Sequence, residues 1–165
     1  MKTGKLGKQL IKDFESLHDG DLTQIGLQPK MCPAGIWTEG WGHAIRDLKG
    51  NFVKGSMNKQ LAYSLSKIKN EEQANVMLDS DLHVYEVIVE RKLKVSVNQN
   101  QFDALVSHTY NTGGSNTLFD LINNNSDADS IYKWFTTRYI QANGKTLPGL
   151  VRRRKAEADL YFKPC

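Results

Sequence analysis

The residues best suited to chemistry lie near the start of the chain: Glu15, Cys32 and Thr38. A carboxylic acid can protonate a leaving group, while a thiol and a hydroxyl can hold or activate water. Glu15 follows Phe14 at the apolar edge and C-terminal end of a predicted helix, where partial burial and the negative helix end disfavour a carboxylate. These residue types suit acid-assisted hydrolysis, although a lone glutamate is more often a solvated surface residue.

Small residues surround Cys32 and Thr38 in the run Cys32-Pro-Ala-Gly-Ile-Trp-Thr38-Glu-Gly40-Trp-Gly42-His43. Glycines on both sides of an aromatic residue allow a substrate to approach the backbone closely. His43 invites a catalytic interpretation, but a histidine that follows such a turn is more often structural. This run is therefore the second part of a candidate site.

The elements that must position these residues differ along the chain. Residues 5–17 place apolar side chains at helical spacing opposite lysines, which predicts an amphipathic helix. Residues 18–55 are dense in Gly, Pro, Asp and Asn and predict a turn-rich region with short strands. Within it, Lys49-Gly50-Asn51 predicts a hairpin turn. The stretch that follows residue 55 and ends at Lys69 shows no clear helical or strand pattern.

Helices are predicted beyond that stretch. Asn70, followed by two glutamates, predicts the start of a long helix that reaches about Arg91 and is long enough to link two lobes. Asn98, with Gln101 three positions later, predicts a capping box for the next helix, which the glycine pair at 113–114 stops.

Three further helix starts follow in the sequence. Ser115 and Ser126 each predict the cap of a short helix, and Pro148 predicts the first turn of a last helix that runs to about Phe162. The fold class is therefore α+β and mainly helical.

We expect a single domain over 1–165. The first helix and a small β-rich lobe occupy about 1–69, the linking helix about 70–92, and a helical lobe about 93–165.

The composition excludes several classes of protein. With 39% hydrophobic and 24% charged residues, the chain is globular and excludes a collagen, a coiled coil or a disordered tail. Twenty-two Lys and Arg against 18 Asp and Glu give a formal net charge of +4, which favours an anionic partner. Two cysteines are too few for a disulfide framework. The N-terminal residues lack the apolar run of a signal peptide or membrane helix, so we expect synthesis in the cytoplasm.

The motifs together resemble the phage lysozyme or endolysin family, glycoside hydrolase family twenty-four. That pattern is a Glu at the end of the first helix, an Asp or Cys, a Thr six positions later, and Gly-aromatic-Gly-His, which Glu15, Cys32, Thr38 and residues 40–43 match. The resemblance continues in Asn100-Gln-Phe-Asp-Ala-Leu-Val106, Tyr110-Asn111, and Pro148-Gly-Leu-Val-Arg-Arg-Arg154 with Glu157. It implies a lysozyme-like two-lobe fold.

Two departures from the family pattern stand out. Sixteen residues separate Glu15 from Cys32, more than in most members, so a loop-like insertion lies within 19–31. Long surface insertions cost little closure entropy, so the site need not move. Trp41 replaces the usual Tyr and keeps an aromatic packing role.

The resemblance implies hydrolysis of the β-1,4 bond between N-acetylmuramic acid and N-acetylglucosamine in peptidoglycan. Glu15 would protonate the glycosidic oxygen, while Cys32 and Thr38 would hold the attacking water on the opposite face, giving inversion. Direct attack by the Cys32 thiolate, with retention, stays open. Asp19 and Asp21 compete with Cys32 for the second role.

Further residues take roles by the same resemblance. Gly42, Tyr110 and Asn111 would contact the saccharide, although Tyr110 suits core packing equally well. His43 would pair with Asp81, which lies on an apolar helix face where an unpaired carboxylate is expensive.

The basic run in the last helix suggests nucleic acid, but the resemblance favours inward-facing arginines. Arg152 or Arg153 would then reach a carboxylate near Glu15.

Metal and cofactor sites are weakly indicated. Asp19-Gly-Asp21 and Asp79-Ser-Asp81 are too short to cage a cation, the histidines lack zinc spacing, and no phosphate loop follows a strand. We expect no cofactor, no nucleic acid and no integral membrane association.

The function that follows is a monomeric muramidase acting on peptidoglycan glycan strands, the endolysin of a phage or prophage, released to the wall by a separate holin-type protein. The alternatives are a lytic transglycosylase on the same bond, a cysteine amidohydrolase using Cys32 with His43 or His18, and a wall-binding module without activity.

Overall fold

The computed structural model describes residues 1–165 and is 54% helical with short antiparallel strands. The helices are α1 (Lys5–Glu15), α2 (Lys59–Leu65), α3 (Glu71–Lys92), α4 (Gln99–Thr112), α5 (Asn116–Asn123), α6 (Ala128–Thr137) and α7 (Pro148–Tyr161), with one 3-10 turn at Ser56–Asn58. The strands are β1 (Lys30–Met31), β2 (Trp37–Glu39), β3 (His43–Ala44), β4 (Gln141–Ala142) and β5 (Lys145–Thr146). The α+β, mainly helical prediction is confirmed.

Contacts divide the chain into two compact units. The sheet unit is Glu15–Asp81, and the helical unit is Met1–Phe14 together with Leu82–Cys165. The long predicted helix is confirmed as α3, which contributes residues 71–81 to the sheet unit and 82–92 to the helical unit. The single-domain assignment over 1–165 stays a prediction.

The sheet unit is built on one three-stranded antiparallel sheet in the order β1-β2-β3. Its small core contains Trp37, Ile45, Val53 and Ala62, and Tyr63 meets the Trp37 ring edge-on at 6.2 Å. Such a small core leaves much of the unit's order to backbone hydrogen bonds.

Turn chemistry sets the outline of this unit, as the sequence predicts. The turn at Lys49-Gly50-Asn51 is confirmed: Gly50 has φ 85°, and the Asp47 N–H donates to the Asn51 carbonyl at 2.8 Å. The stretch without a clear pattern folds as the 3-10 turn and α2. Only Ala62 of α2 is buried, so this short helix has no apolar stripe for a sequence pattern to reveal.

Helix α1 packs with the helical unit rather than with the sheet unit. The backbone N–H groups of Gly4 and Gly7 donate to the Asp103 carboxylate at 2.8 and 3.0 Å. A Cβ on Gly7 would lie 2.8 Å from the Asp103 side chain, so glycine is needed for this close approach. Leu10 and Ile11 are buried on the same helix.

The helix signals of the helical unit are largely confirmed. Asn98 and Gln101 form the reciprocal capping box of α4, and Gly113 ends that helix in the left-handed region at φ 81°. The cap of α6 is a correction: Asp127, not Ser126, accepts the Ser130 N–H. The next position fits better because its extended backbone precedes the first helical residue.

A hairpin of β4 and β5 was absent from the sequence prediction. Asn143 and Gly144 join the two strands with φ of 51° and 73°, the signature of a two-residue hairpin turn. No helix in the protein combines the length and apolar character needed to cross a membrane.

Candidate active site

Glu15 is the last residue of α1 and the first residue of the sheet unit. The next residue, Ser16, has φ 60°, a left-handed conformation that ends the helix. The Glu15 side chain is half-buried. The carboxyl group therefore lies at the C-terminal end of α1.

The hairpin of β1 and β2 places Cys32 and Thr38 on one face. Lys30 pairs with Thr38 and Met31 with Trp37, and the Cys32 N–H donates to the Ile36 carbonyl at 2.8 Å, which extends the pairing by one residue. Because side chains alternate along strands, Cys32 and Thr38 point to the same side, roughly 7 Å apart along the hairpin. The half-buried Cys32 is a free thiol.

Thr38 is 6% exposed, and its hydroxyl donates to the Lys30 carbonyl at 3.0 Å. The Thr38 hydroxyl hydrogen is therefore already used in a hydrogen bond to the backbone. What the Thr38 Oγ1 atom still offers is an acceptor for an O–H group.

The turn after β2 depends on two glycines with positive φ, Gly40 at 58° and Gly42 at 97°. A Cβ on Gly40 would lie 2.8 Å from Ile68. The Gly40 carbonyl accepts the His18 N–H at 2.8 Å, so the backbone is held from both sides. These glycines allow β2 to reverse into β3 within three residues.

His43 and Asp81 form the expected ion pair, with Nδ1 of His43 2.9 Å from Oδ2 of Asp81. Hydrogen bonding to Asp81 raises the pKa of His43 above its ordinary value, and burial opposes that shift. The pair is confirmed as a contact, and its stabilising role stays a prediction.

Glu39 is a buried carboxylate that sequence reasoning missed. The side chain is 3% exposed, and its Oε2 accepts hydrogen bonds from the Ser66 hydroxyl at 2.7 Å and from the Lys67 and Ile68 N–H groups at 3.0 Å. Glu39 therefore fastens β2, next to Thr38, to the segment between α2 and α3. An acidic residue at the end of a short strand, in a run flanked by Trp37 and Trp41, was the available signal.

Asp19 and Asp21 are engaged in the structure of their own loop. Asp19 accepts the N–H groups of Asp21 and Gln28, and Asp21 accepts the N–H and hydroxyl of Thr23 and the amide of Gln24. Hydrogen bonding by the Thr23 side chain lowers the pKa of Asp21. These contacts favour a structural role over competition with Cys32.

Two arginines in the basic run of α7 are buried, and the prediction that Arg152 or Arg153 reaches a carboxylate near Glu15 stays a prediction. Arg152 is exposed, while Arg153 and Arg154 are buried with Glu157. Glu157 accepts the Ser107 hydroxyl at 2.8 Å, and the Arg153 and Arg154 side chains lie 3.2–3.3 Å from its oxygens. Burial raises the pKa of Glu157, and the two guanidinium groups oppose that shift.

Arg154 was not among the predicted site residues, although it also donates to the Asn111 Oδ1 at 2.6 Å. Asn111 is exposed, and this contact fixes which way its amide points. Tyr110 is half-buried against the Tyr85 ring, with centroids 4.9 Å apart. The substrate-binding roles of Tyr110 and Asn111 stay predictions.

The structure contains no group of three or more His, Cys, Asp or Glu side chains placed to hold a metal ion. Glu15, Cys32 and Thr38 supply the candidate site with a carboxyl group, a thiol and a hydroxyl.

Comparisons with known proteins identify related sequences and a related fold. A family model described as phage lysozyme matches residues 22–157, which include Cys32 and Thr38 and begin after Glu15. The endolysin of Acyrthosiphon pisum secondary endosymbiont phage 1 is 28% identical, with 98% of each chain covered. The endolysin of Bacillus phage PZA is 32% identical over 98% of this chain, which spans 55% of that protein.

A solved structure shows the same fold. The endolysin from Escherichia coli O157:H7 phage FAHEc1 superposes with a TM-score of 0.71 at 29% identity, covering 98% of this chain and 94% of that one.

Proposed function

The chain belongs to the phage lysozyme family and is a peptidoglycan lytic enzyme of phage type; we propose that it is a muramidase. The bond cut would be the β-1,4 linkage between N-acetylmuramic acid and N-acetylglucosamine, broken by hydrolysis. The observation that carries the proposal is the register of β1 and β2. It gives Cys32 and Thr38 a common face within the same unit that begins at Glu15.

In this mechanism Glu15 donates its proton to the glycosidic oxygen as the bond breaks. Positive charge then develops at the anomeric carbon, in an oxocarbenium-like transition state that water attacks readily. The acid contributes on the order of 10²- to 10⁴-fold in rate, the usual range for a positioned proton donor.

Cys32 and Thr38 would hold the attacking water. Because the Thr38 hydroxyl donates to the Lys30 carbonyl, its oxygen accepts one O–H of the water and leaves a water lone pair for the sugar. In this role Cys32 positions the water rather than deprotonating it. Attack from the side opposite the leaving group inverts the anomeric centre.

The main test replaces Glu15 with Gln, which keeps the shape and removes the proton donor. We expect kcat on purified peptidoglycan to fall by about 10²- to 10⁴-fold with the fold unchanged by circular dichroism. The matched control is Asp13→Asn, an exposed carboxylate on the same helix, which should retain parental activity. A Glu15→Gln variant that clears walls at the parental rate would contradict the proposal.

Two measurements on the products separate the related mechanisms. Hydrolysis adds one water to the product mass, whereas a transglycosylase leaves an anhydro sugar. NMR of the new anomeric centre should show the α product of inversion, and a β product would indicate direct attack by Cys32. Parental activity in Cys32→Ser would direct attention to Asp19 or Asp21.

The setting of the reaction is also part of the proposal. The enzyme would act as a monomer on glycan strands in the wall, reached after holin-type release. A net charge of +4 suits a wall that carries anionic polymers.

A further inference from the structure

Strand β2 is short and carries Thr38, the proposed water-holding residue, at its centre. Its three residues, Trp37, Thr38 and Glu39, are all buried. Because side chains alternate along a strand, Trp37 and Glu39 point to the face opposite that of Thr38. The strands on either side of β2 have only two residues each. Contacts of Trp37 and Glu39 are therefore well placed to fix the backbone at Thr38.

The first of these side chains, Trp37, belongs to the apolar core of the sheet unit. It shares that core with Ile45, Val53 and Ala62. Its indole N–H donates to the Gly55 carbonyl at 2.8 Å, so the one polar group of the ring is also paired. The N-terminal end of β2 is therefore held by ordinary core packing.

The second side chain, Glu39, is a carboxylate on that same face. Its Oε2 atom accepts the Ser66 hydroxyl and the N–H groups of Lys67 and Ile68, as described above. Three donors from consecutive residues thus converge on one oxygen. A displacement of β2 by about 1 Å would stretch these bonds beyond the range of a good hydrogen bond. Glu39 therefore fixes the C-terminal end of β2.

The 66–68 segment lies directly against this end of the strand. A Cβ on Gly40 would lie 2.8 Å from the Ile68 side chain, so there is no free space between the two. An apolar residue at position 39 would leave the Lys67 and Ile68 N–H groups without their acceptor. The carboxylate satisfies these donors, and in doing so it ties the strand to the segment.

The position of the Thr38 oxygen follows from the backbone of β2. Threonine is β-branched and has few χ1 rotamers, and the hydrogen bond to the Lys30 carbonyl selects one of them. Once the rotamer is set, only a movement of the backbone can displace the oxygen. A misplacement of about 1 Å in a reacting group can cost about 10²-fold in rate. The anchor next to Thr38 therefore bears on the reaction.

We propose that Glu39 is a positioning residue: by tying β2 to the 66–68 segment, it places the Thr38 oxygen where that oxygen accepts a hydrogen bond from the attacking water. Glu39 acts through Thr38 and not on the substrate. This inference rests on the proposed muramidase function and adds to it a residue from the opposite face of the strand.

The test is a double-mutant cycle, with kcat and KM measured on purified peptidoglycan. Thr38→Val removes the hydroxyl at nearly constant shape and should lower kcat by about 10²-fold. Glu39→Ala should lower kcat about tenfold with KM nearly unchanged, because a misplaced water slows attack rather than binding. In the Thr38→Val background, Glu39→Ala should change kcat by less than about twofold, because the group that Glu39 positions is gone.

Stability distinguishes positioning from simple support of the fold. Thr38 and Glu39 share no hydrogen-bond partner, so Glu39→Ala should lower the urea midpoint equally in both backgrounds. Ala62→Gly weakens α2 and the core of the same unit without altering any contact of Glu39. Where this control is folded, it should keep the parental kcat.

Two milder variants extend the cycle. Glu39→Gln keeps an acceptor oxygen for the 66–68 segment and should retain most of the parental kcat. Ser66→Ala removes only one of the three donors, so it can be measured even where Glu39→Ala is too unstable. It should lower kcat about twofold to threefold in the parent and leave kcat unchanged in Thr38→Val.

Each possible failure has its own signature. Equal fold-losses of kcat for Glu39→Ala in both backgrounds would make Glu39 purely structural, and a parental kcat would remove it from the reaction; either result overturns the inference. So does a loss confined to KM, which would assign Glu39 to substrate binding. A parental kcat in Thr38→Val would refute the water-holding role of Thr38. A parent that releases no reducing sugar ends from peptidoglycan would refute the muramidase function itself.

Discussion

Glu39 in the sheet unit and Glu157 in the helical unit are both buried carboxylates, and they are held by different means. Glu39 in the sheet unit is held by two backbone N–H groups and the Ser66 hydroxyl. Glu157 in the helical unit is held by two arginines and the Ser107 hydroxyl. The first carboxylate fixes a backbone segment, whereas the second balances buried charge.

The charges of the units follow the same division. The helical unit has 15 Lys and Arg against 9 Asp and Glu, a net charge of +6, and the sheet unit has 7 against 9, a net charge of −2. The basic character of the chain therefore belongs to the helical unit, while the proposed catalytic residues Glu15, Cys32 and Thr38 lie in the weakly acidic sheet unit. We therefore expect attraction to anionic polymers to depend on the helical unit and the proposed chemistry to depend on the sheet unit.

The largest expected effect on stability comes from breaking the charge balance in the helical unit. Glu157→Gln leaves two buried guanidinium groups without their carboxylate, and we expect a loss of about 3–5 kcal/mol in the free energy of unfolding by urea. Asp159→Asn, an exposed carboxylate on the same helix, should change stability by less than about 1 kcal/mol. A loss below about 1 kcal/mol in Glu157→Gln would remove the distinction between the units.

Local signals predicted the helices well because their partners are near in sequence. The capping box of Asn98 and Gln101 and the left-handed Gly113 each depend on at most four neighbouring residues. Helix α2 escaped prediction because Ala62 is its only buried residue. Capping and periodicity therefore reveal a helix only when the residues of that helix themselves form the cap or the apolar stripe.

The candidate site was predicted in its residues but not in its surroundings. Periodicity predicted a helix over residues 5–17 with Glu15 near its end, and α1 ends two residues earlier than predicted, at Glu15 itself. The common face of Cys32 and Thr38 needs the strand register, and the partners of Glu39 lie 27–29 residues away. Tertiary contacts of that kind leave no periodic trace in the sequence.

The next effect in size is the pH dependence of the helical unit. His108 is fully buried against the rings of Trp134, Phe135 and Tyr139, and burial, with the nearby Arg154 and Arg153, lowers its pKa to about 3. In the unfolded chain the His108 imidazole takes up a proton near pH 6.5, whereas in the folded chain it stays neutral at that pH. Stability should therefore fall as the pH drops from about 6.5 towards 3, by about 2 kcal/mol at pH 5.

The variant that tests this expectation is His108→Phe, which keeps an aromatic ring and removes the titration. Urea unfolding at pH 7.5 and pH 5 should show a smaller acid loss in the variant than in the parent, by about 2 kcal/mol. Equal losses in both proteins would place the acid sensitivity elsewhere.

A smaller effect is expected at the buried glutamate of the sheet unit. Glu39→Gln keeps one acceptor oxygen for the Lys67 and Ile68 N–H groups and loses the charge, so the cost should be about 1–2 kcal/mol. Glu39→Ala leaves those N–H groups and the Ser66 hydroxyl without their acceptor and should cost more. Unfolding by urea measures both, and a Glu39→Gln loss as large as that of Glu157→Gln would contradict the contrast between the two carboxylates.

The smallest expected effect has the opposite sign to that of His108 and belongs to His43. Asp81 raises the pKa of His43, the Glu39 charge acts in the same direction, and Lys67 opposes them. This contribution to stability is complete below the unfolded pKa near 6.5 and is lost as the pH rises through the higher folded pKa. Because both side chains are partly exposed, its size should be at most about 1 kcal/mol.

Asp81→Asn is the variant that isolates this pair. Between pH 6 and pH 8.5 the parent should lose stability relative to Asp81→Asn, and the NMR titration of His43 should shift to lower pH in the variant. The helical unit, which contains His108, should then lose stability in acid, and the sheet unit, which contains His43, should lose stability in mild base. A parent that instead gains stability relative to Asp81→Asn over this range would show that the carboxylate stabilises neutral His43, and the opposition between the units would fail.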